Sequence, residues 1–164
     1  MGTGEQEQAE FCELEYARLA GSLRLYTGDA DLAAELAQEA LARACLHWTR
    51  VRAMAAPGAW VHRVAVNLAN SSFRRRGAER RALERTGGHV TADAADPSEA
   101  FTVRTAVLAL PERQRLAIVL RYFADYPVDE VARIMHVRPG TVKSLTAQGI
   151  ASLRAALMQE DRVP

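Results

Sequence analysis

Apolar positions recur along this chain at intervals of three and four, with no strand-like alternation, so the pattern predicts helices throughout. Phe11, Leu14, Leu19, Leu23 and Tyr26 place a first amphipathic helix over 9–26. T-G-D at 27–29 is a turn, and Asp29 or Asp31 is placed to cap a second helix over 31–48, whose inner stripe is Leu32, Leu36, Ala40 and Ala44. Residues 50–58 form a connection. A third helix opens near Pro57 and runs to about residue 81, gathering Val61, Val64, Ala65 and Leu68 on one side. Residues 82–100 then turn poor in apolar side chains and rich in Gly, Thr, Asp, Pro and Ser, the composition of a flexible linker. Ser98 is a candidate N-cap for a helix over 101–110, and Pro111 opens another that carries Leu116, Ile118, Val119, Leu120, Tyr122 and Phe123 inward. The expected architecture is all-α: two small helical domains, 1–81 and 101–164, joined by a flexible linker at 82–100.

The stretch 127–154 carries the strongest local pattern. Pro127 suits a first helical position, and Val128, Val131 and Met135 follow at helical spacing around small Ala132. His136 and Val137 interrupt the repeat. Pro139 then opens a second helix with Val142, Leu145, Gly149, Ile150 and Leu153 inward and Thr141, Lys143, Ser144 and Gln148 outward. Two helices joined by a tight turn, the second with a short polar face, describe a helix-turn-helix whose second helix fits a DNA major groove. An ordinary helical hairpin has the same apolar pattern.

The order V-A-x-I-M-x-V-x-x-G-T-V-K-S is more specific. With L-P-E-R-Q-R at 110–115 and L-R-Y-F at 120–123, it resembles the C-terminal promoter-reading domain of bacterial RNA polymerase sigma factors, in particular the two-domain extracytoplasmic-function group. The likeness spans residues 107–157. It implies −35 recognition through Arg138, Thr141, Lys143, Ser144 and Gln148. Three departures from the family pattern qualify this. Arg138 stands where a capping Ser or Thr is common, which costs about 1 kcal/mol of local stability. His136 replaces a turn glycine, so a left-handed backbone there carries strain. Leu145 and Gln148 replace arginines, and each lost phosphate contact weakens binding and flattens its salt dependence.

Charge changes the picture of the first domain. The net formal charge is only +1, but residues 1–42 hold two Arg against nine acidic residues, whereas 74–85 hold six Arg against two Glu. Such polarity suits two different macromolecular surfaces, although charged faces also serve solubility. The single lysine is Lys143. On the second helix Asp31, Glu35 and Glu39 recur every four residues, a stripe that in isolation reads as a solvated face. On the third, Trp60, Arg63, Asn67, Asn70 and Arg74 share a side. An aromatic ring, two amides and two guanidiniums are what a platform for single-stranded nucleic acid needs. The bland alternative is a core Trp beside snorkelling Arg side chains.

Both stripes fall in segments with a resemblance of their own. A-E-L-A-Q-E-A-L-A-R-A at 34–44 is similar to the sigma-factor segment that docks on the β′ coiled coil of core RNA polymerase, with Glu35, Leu36, Gln38, Glu39 and Arg43 at matching positions. W-V-H-R-V-A-V-N-L-A at 60–69, followed by F-R-R-R at 73–76, resembles the segment that melts the −10 element and holds its non-template strand. That likeness assigns Trp60, Arg63, Asn67, Asn70, Arg74, Arg75 and Arg76 to −10 capture.

The resemblance implies a factor that binds core RNA polymerase at the β′ coiled coil and β flap and directs initiation from promoter DNA. An anti-sigma factor is a further partner of many members. Two alternatives are a regulator with only the C-terminal helix-turn-helix and a degenerate sigma-like protein that binds polymerase with weak DNA reading. No enzyme is expected and no cofactor: the four histidines lack metal spacing, and no phosphate-cradling glycine loop occurs. Cys12 and Cys45 also lack metal spacing and are expected as buried, reduced thiols. With no membrane-length apolar run and no signal peptide, the expected location is the cytoplasm.

Overall fold

The computed structural model describes residues 2–88 and 103–160. Among them every regular element is helical. The first helix, α1 (Thr3–Thr27), starts six residues earlier than its apolar repeat. Polar contacts hold that extra turn: Glu7 pairs with Arg52 at 3.1 Å, and Gln8 Nε2 donates to the Cys45 carbonyl at 3.2 Å. At its end Gly28 adopts φ 75°, a left-handed conformation that suits glycine, and donates its N–H to Arg24 O.

Asp29 is the residue that caps α2 (Ala30–Leu46), its carboxylate accepting the Leu32 N–H at 3.0 Å. That backbone bond, with Arg76 nearby, holds the Asp29 carboxyl below its ordinary range. Along α2, Ala33, Ala37, Ala40 and Ala44 are all essentially buried. Their small side chains let α1 and α4 approach closely. A single turn, α3 (Trp48–Val51), occupies part of the expected connection. The helix α4 (Pro57–Arg85) runs four residues past its expected end. Residues 82–85 are Ala, Leu, Glu and Arg, all good helix formers, so the linker does not begin at 82. The remaining linker, Ser98 as a cap, and the start of the next helix at Phe101 lie outside the described residues.

The C-terminal part comprises α5 (Val103–Leu108), α6 (Glu112–Ile118), a π-helical continuation over Val119–Phe123, α7 (Val128–Met135) and α8 (Pro139–Glu160). Leu116, Ile118, Val119 and Leu120 are buried as expected, but Tyr122 is 56% and Phe123 47% exposed. The wide π turn advances each residue by a smaller angle than an α turn and carries these two rings out of the core. Pro127 stands just before α7, with extended backbone, instead of opening it. His136 takes the left-handed conformation anticipated for it, φ 55° and ψ 45°. Val131 and Val142 are fully buried between the helices, and Gly149 meets α6 so closely that an added Cβ would lie 2.8 Å from Ile118 Cγ1.

The two halves pack against one another. Arg18 of α1 donates Nε to the Ala124 carbonyl at 2.9 Å, with Nη2 on the same oxygen, and its guanidinium lies 4.2 Å from the Tyr126 ring centroid. Arg115 Nη1 reaches the Tyr26 carbonyl at 3.0 Å.

Candidate nucleic-acid and polymerase surfaces

The polar side of α4 follows from its register. Val61, Ala65 and Ala69 are buried against α1 and α2, which rotates Asn67 and Arg74 into solvent and leaves Arg63 and Asn70 half-buried. Asn67, Asn70 and Arg74 share a groove of about 390 Å³ with Tyr26, Phe73 and, from the second half, Glu112, Arg113 and His136. One donor of that groove is already fixed: Tyr26 Oη donates to Asn70 Oδ1 at 2.7 Å, with Glu112 Oε1 3.3 Å away. Burial, then the Glu112 carboxylate, push the Tyr26 phenol well above its ordinary value, so it stays a donor. With its oxygen engaged, Asn70 presents chiefly its amide N–H₂ outward. Asn67 carries no such restraint and lies open, as a base-edge reader requires.

Trp60 and Arg63 line an adjacent concavity with Glu130, Arg133 and Ile134 of α7. Trp60 is half-buried against the core, so the ring is held at one edge and presented at the other. Arg75 and Arg76 are exposed beyond both hollows. Arg76 Nη2 lies 3.5 Å from Asp29 Oδ2, an exposed pair of small energetic weight. Arg74 rests on Ser71 Oγ at 3.0 Å. Thus the structure gathers Asn67, Asn70 and Arg74 in one place, sets Trp60 and Arg63 beside them, and leaves Arg75 and Arg76 at the margin.

Beneath this face sits His62, 1% exposed. Its Nδ1 is 3.2 Å from Gly58 O and 2.9 Å from Tyr126 Oη, which a neutral ring protonated at Nδ1 accommodates, while the buried Nε2 has no hydrogen-bond partner. Burial pushes the imidazole down to about 4.

On α2, Glu35, Gln38, Glu39 and Arg43 are exposed, and Glu39 pairs with Arg43 at 2.7 Å. Leu36 is only 9% exposed and forms part of the core, so it shapes the ridge from inside. On α8, Lys143, Ser144 and Gln148 are exposed, Thr141 is half-buried, and Arg138 projects from the turn while its carbonyl accepts the Thr141 N–H at 2.9 Å. Leu145 is half-buried. Gln148 is tethered, accepting from Gln114 Nε2 at 3.2 Å.

Residue patterning alone did not single out Tyr26, Glu112 or Arg113. Tyr26 reads as the last apolar position of a helix. Glu112 and Arg113 sit in L-P-E-R-Q-R, whose family likeness is the only sequence signal that drew attention to them. The cysteines also differ from expectation. Cys45 is exposed and Cys12 half-buried, because both lie near the open end of the α1–α2 pair, away from its packed middle.

Comparison with known proteins agrees with this geometry at both ends of the chain. The family model for sigma-70 region 2 matches residues 13–79, and that for sigma-70, region 4 matches residues 100–153. The RNA polymerase sigma-H factor of Pseudomonas aeruginosa is 27% identical over 157 residues, covering 86% of this chain and 81% of the relative. The ECF RNA polymerase sigma factor SigW of Bacillus subtilis is 26% identical, over 79% of this chain and 78% of its own. The RNA polymerase sigma-E factor of Streptomyces coelicolor is 28% identical, over 94% and 88%. In fold, the chain matches the sigma factor RpoE crystallised with the anti-sigma factor NepR from Bartonella quintana, with a TM-score of 0.77 at 22% identity over 93% of this chain and 98% of that one. A regulator built on a lone helix-turn-helix has no use for a region 2 domain. With an exposed polar helix face in each half and both sigma regions matched in order, the chain belongs to the extracytoplasmic-function group of sigma-70 family RNA polymerase sigma factors.

Proposed function

We propose that this chain directs promoter-specific transcription initiation by dividing the work among three surfaces. The exposed stripe Glu35, Gln38, Glu39 and Arg43, backed by Leu36, docks on the β′ coiled coil of core RNA polymerase, and the C-terminal domain contacts the β flap. The helix α8 reads the −35 element through Lys143, Ser144 and Gln148, with Thr141 and Arg138 at its entry. Asn67 and Asn70 read the melted −10 strand, Trp60 and Arg63 hold the edge of the bubble, and Arg74, Arg75 and Arg76 take its phosphates. The chemistry of RNA synthesis stays with polymerase. The observation that carries the assignment is the polar side of α4 opposite a buried apolar one: Asn67, Arg74, Arg75 and Arg76 are exposed on a helix whose other face, Val61, Ala65 and Ala69, is core.

The balance between elements follows from α8. Leu145 is half-buried and Gln148 is held by Gln114, so between Pro139 and Gln148 the helix offers Lys143 as its one cation. The −35 contact is therefore weak, and the first domain carries most of the specificity. A protein of the anti-sigma class, as in the Bartonella quintana complex, is a further proposed partner. Run-off transcription with core polymerase on a promoter library tests the assignment. Loss of transcripts on scrambling the −10, with partial retention on scrambling the −35, is the expected result. Equal and complete loss for both rejects the proposed division, and absence of any initiation rejects the function.

A further inference from the structure

Away from the three surfaces, Cys12 on α1 and Cys45 in the last turn of α2 bring their sulfur atoms to 3.5 Å across 33 residues of sequence. Both are free thiols. A disulfide has a bond of about 2.05 Å, so an approach of roughly 1.5 Å closes the gap. The neighbourhood keeps the two together. Phe11 beside Cys12 packs against Trp48 with the rings tilted by 44° and centroids 5.2 Å apart, Gln8 donates to the Cys45 carbonyl, and Glu7 pairs with Arg52. Nothing in the promoter or polymerase chemistry uses either sulfur.

We propose that Cys12 and Cys45 form a peroxide-responsive dithiol that closes to a reversible intramolecular disulfide, clamping the start of α1 to the end of the polymerase-docking helix. Exposed Cys45 takes the first step: its thiolate sulfur attacks one oxygen of hydrogen peroxide, the O–O bond breaks, and the departing hydroxide is protonated to water. Cys45 is left as a sulfenic acid. The Cys12 sulfur then attacks the Cys45 sulfur, gives up its proton, and displaces the hydroxyl as a second water. Two thiols lose two electrons in total, and one peroxide becomes two waters. The asymmetry of the pair supports this order. Cys45 is exposed and meets the oxidant first, whereas burial and the contact with Cys45 push the half-buried Cys12 thiol up to about 11 and keep it from reacting with peroxide itself.

The test uses the full-length protein, treated with graded hydrogen peroxide, quenched with catalase, denatured, alkylated with iodoacetamide and weighed intact. The expected result is joint loss of both alkylation sites in a monomer about 2 Da lighter, with both sites restored by dithiothreitol. In Cys45→Ser, Cys12 stays alkylatable at doses that close the native pair. In Cys12→Ser, the oxidised Cys45 is trapped by dimedone. Retention of both sites, cross-links only between molecules, or sulfinic acid at Cys45 beside a free Cys12 would each overturn the proposal. The native protein alone decides the question if either variant fails to fold.

Discussion

Tyr126 Oη lies 2.9 Å from His62 Nδ1, and the two rings meet edge to face with centroids 5.0 Å apart. His62 belongs to the region 2 segment and Tyr126 to region 4, so this contact is where the two sigma domains share a buried polar atom. Neither ring is interchangeable with an apolar one. The Nδ1 proton needs oxygens, and the Gly58 carbonyl supplies only part of its coordination.

Acid therefore acts on this junction. The folded imidazole titrates near 4 against about 6.5 when unfolded, so the unfolded chain binds the proton more readily. The stabilisation is complete above pH 6.5 and is lost as the pH falls toward 4. At pH 5 this histidine costs about 2 kcal/mol. Urea unfolding at pH 7 and pH 5 checks the value: His62→Gln loses less stability across that interval than the native chain, and an equal loss in both would refute the assignment.

Gly149→Ala forces a Cβ to 2.8 Å from Ile118 Cγ1, whereas Gly140→Ala meets nothing within 4 Å. Overpacking of the first kind costs about 1–3 kcal/mol, and the second substitution, on an exposed first turn, is neutral or slightly stabilising. Comparing the urea midpoints of the two variants reads the difference directly. Similar midpoints would mean that α6 yields easily to α8.

Two variants separate the two surfaces proposed to meet DNA. Lys143→Ala removes one exposed cation from α8, so the slope of log K for promoter binding against log salt falls by roughly one. Asn67→Ala leaves that slope intact but reduces the permanganate reactivity of −10 thymines, because an amide carries no counterion. A salt slope changed by Asn67→Ala would assign it to duplex phosphates instead.

On α2, the ion pair between Glu39 and Arg43 is half-exposed on both sides, and such pairs contribute about 0.3–0.5 kcal/mol. Glu39→Ala thus barely moves stability. At a docking hot spot the same truncation costs more than about 1 kcal/mol of binding, so affinity for core polymerase falls at least severalfold in a fluorescence titration. Unchanged affinity would return the acidic stripe to an ordinary solvated face.

Much of this was legible in the residues. Helical spacing located the helices because an apolar stripe with a period near 3.6 can be buried only by a helix, and His136 announced its left-handed turn by standing where glycine is usual. Asn67 and Arg74 were placed on an open face by the apolar set opposite them. Periodicity could not foresee the π turn at Val119–Phe123, which depends on packing between helices and turned Tyr122 and Phe123 outward. Nor could it place Cys12 against Cys45, or Tyr26 against Asn70, since both contacts join segments far apart in sequence. Leu36 matched a docking motif yet proved to be core, because a motif position records a family role and not the direction of a side chain.

The groove that holds Asn67 and Asn70 is walled on its far side by Glu112, Arg113 and His136. A nucleotide strand laid along α4 must compete with those groups for the same space and brings its phosphates up to a carboxylate. Capture of the strand and separation of the halves are then two sides of one equilibrium. If the proposed −10 strand does enter this groove, its apparent affinity is the intrinsic affinity scaled down by the fraction of molecules whose halves have separated, and a partner that holds the two halves apart raises it without touching a base.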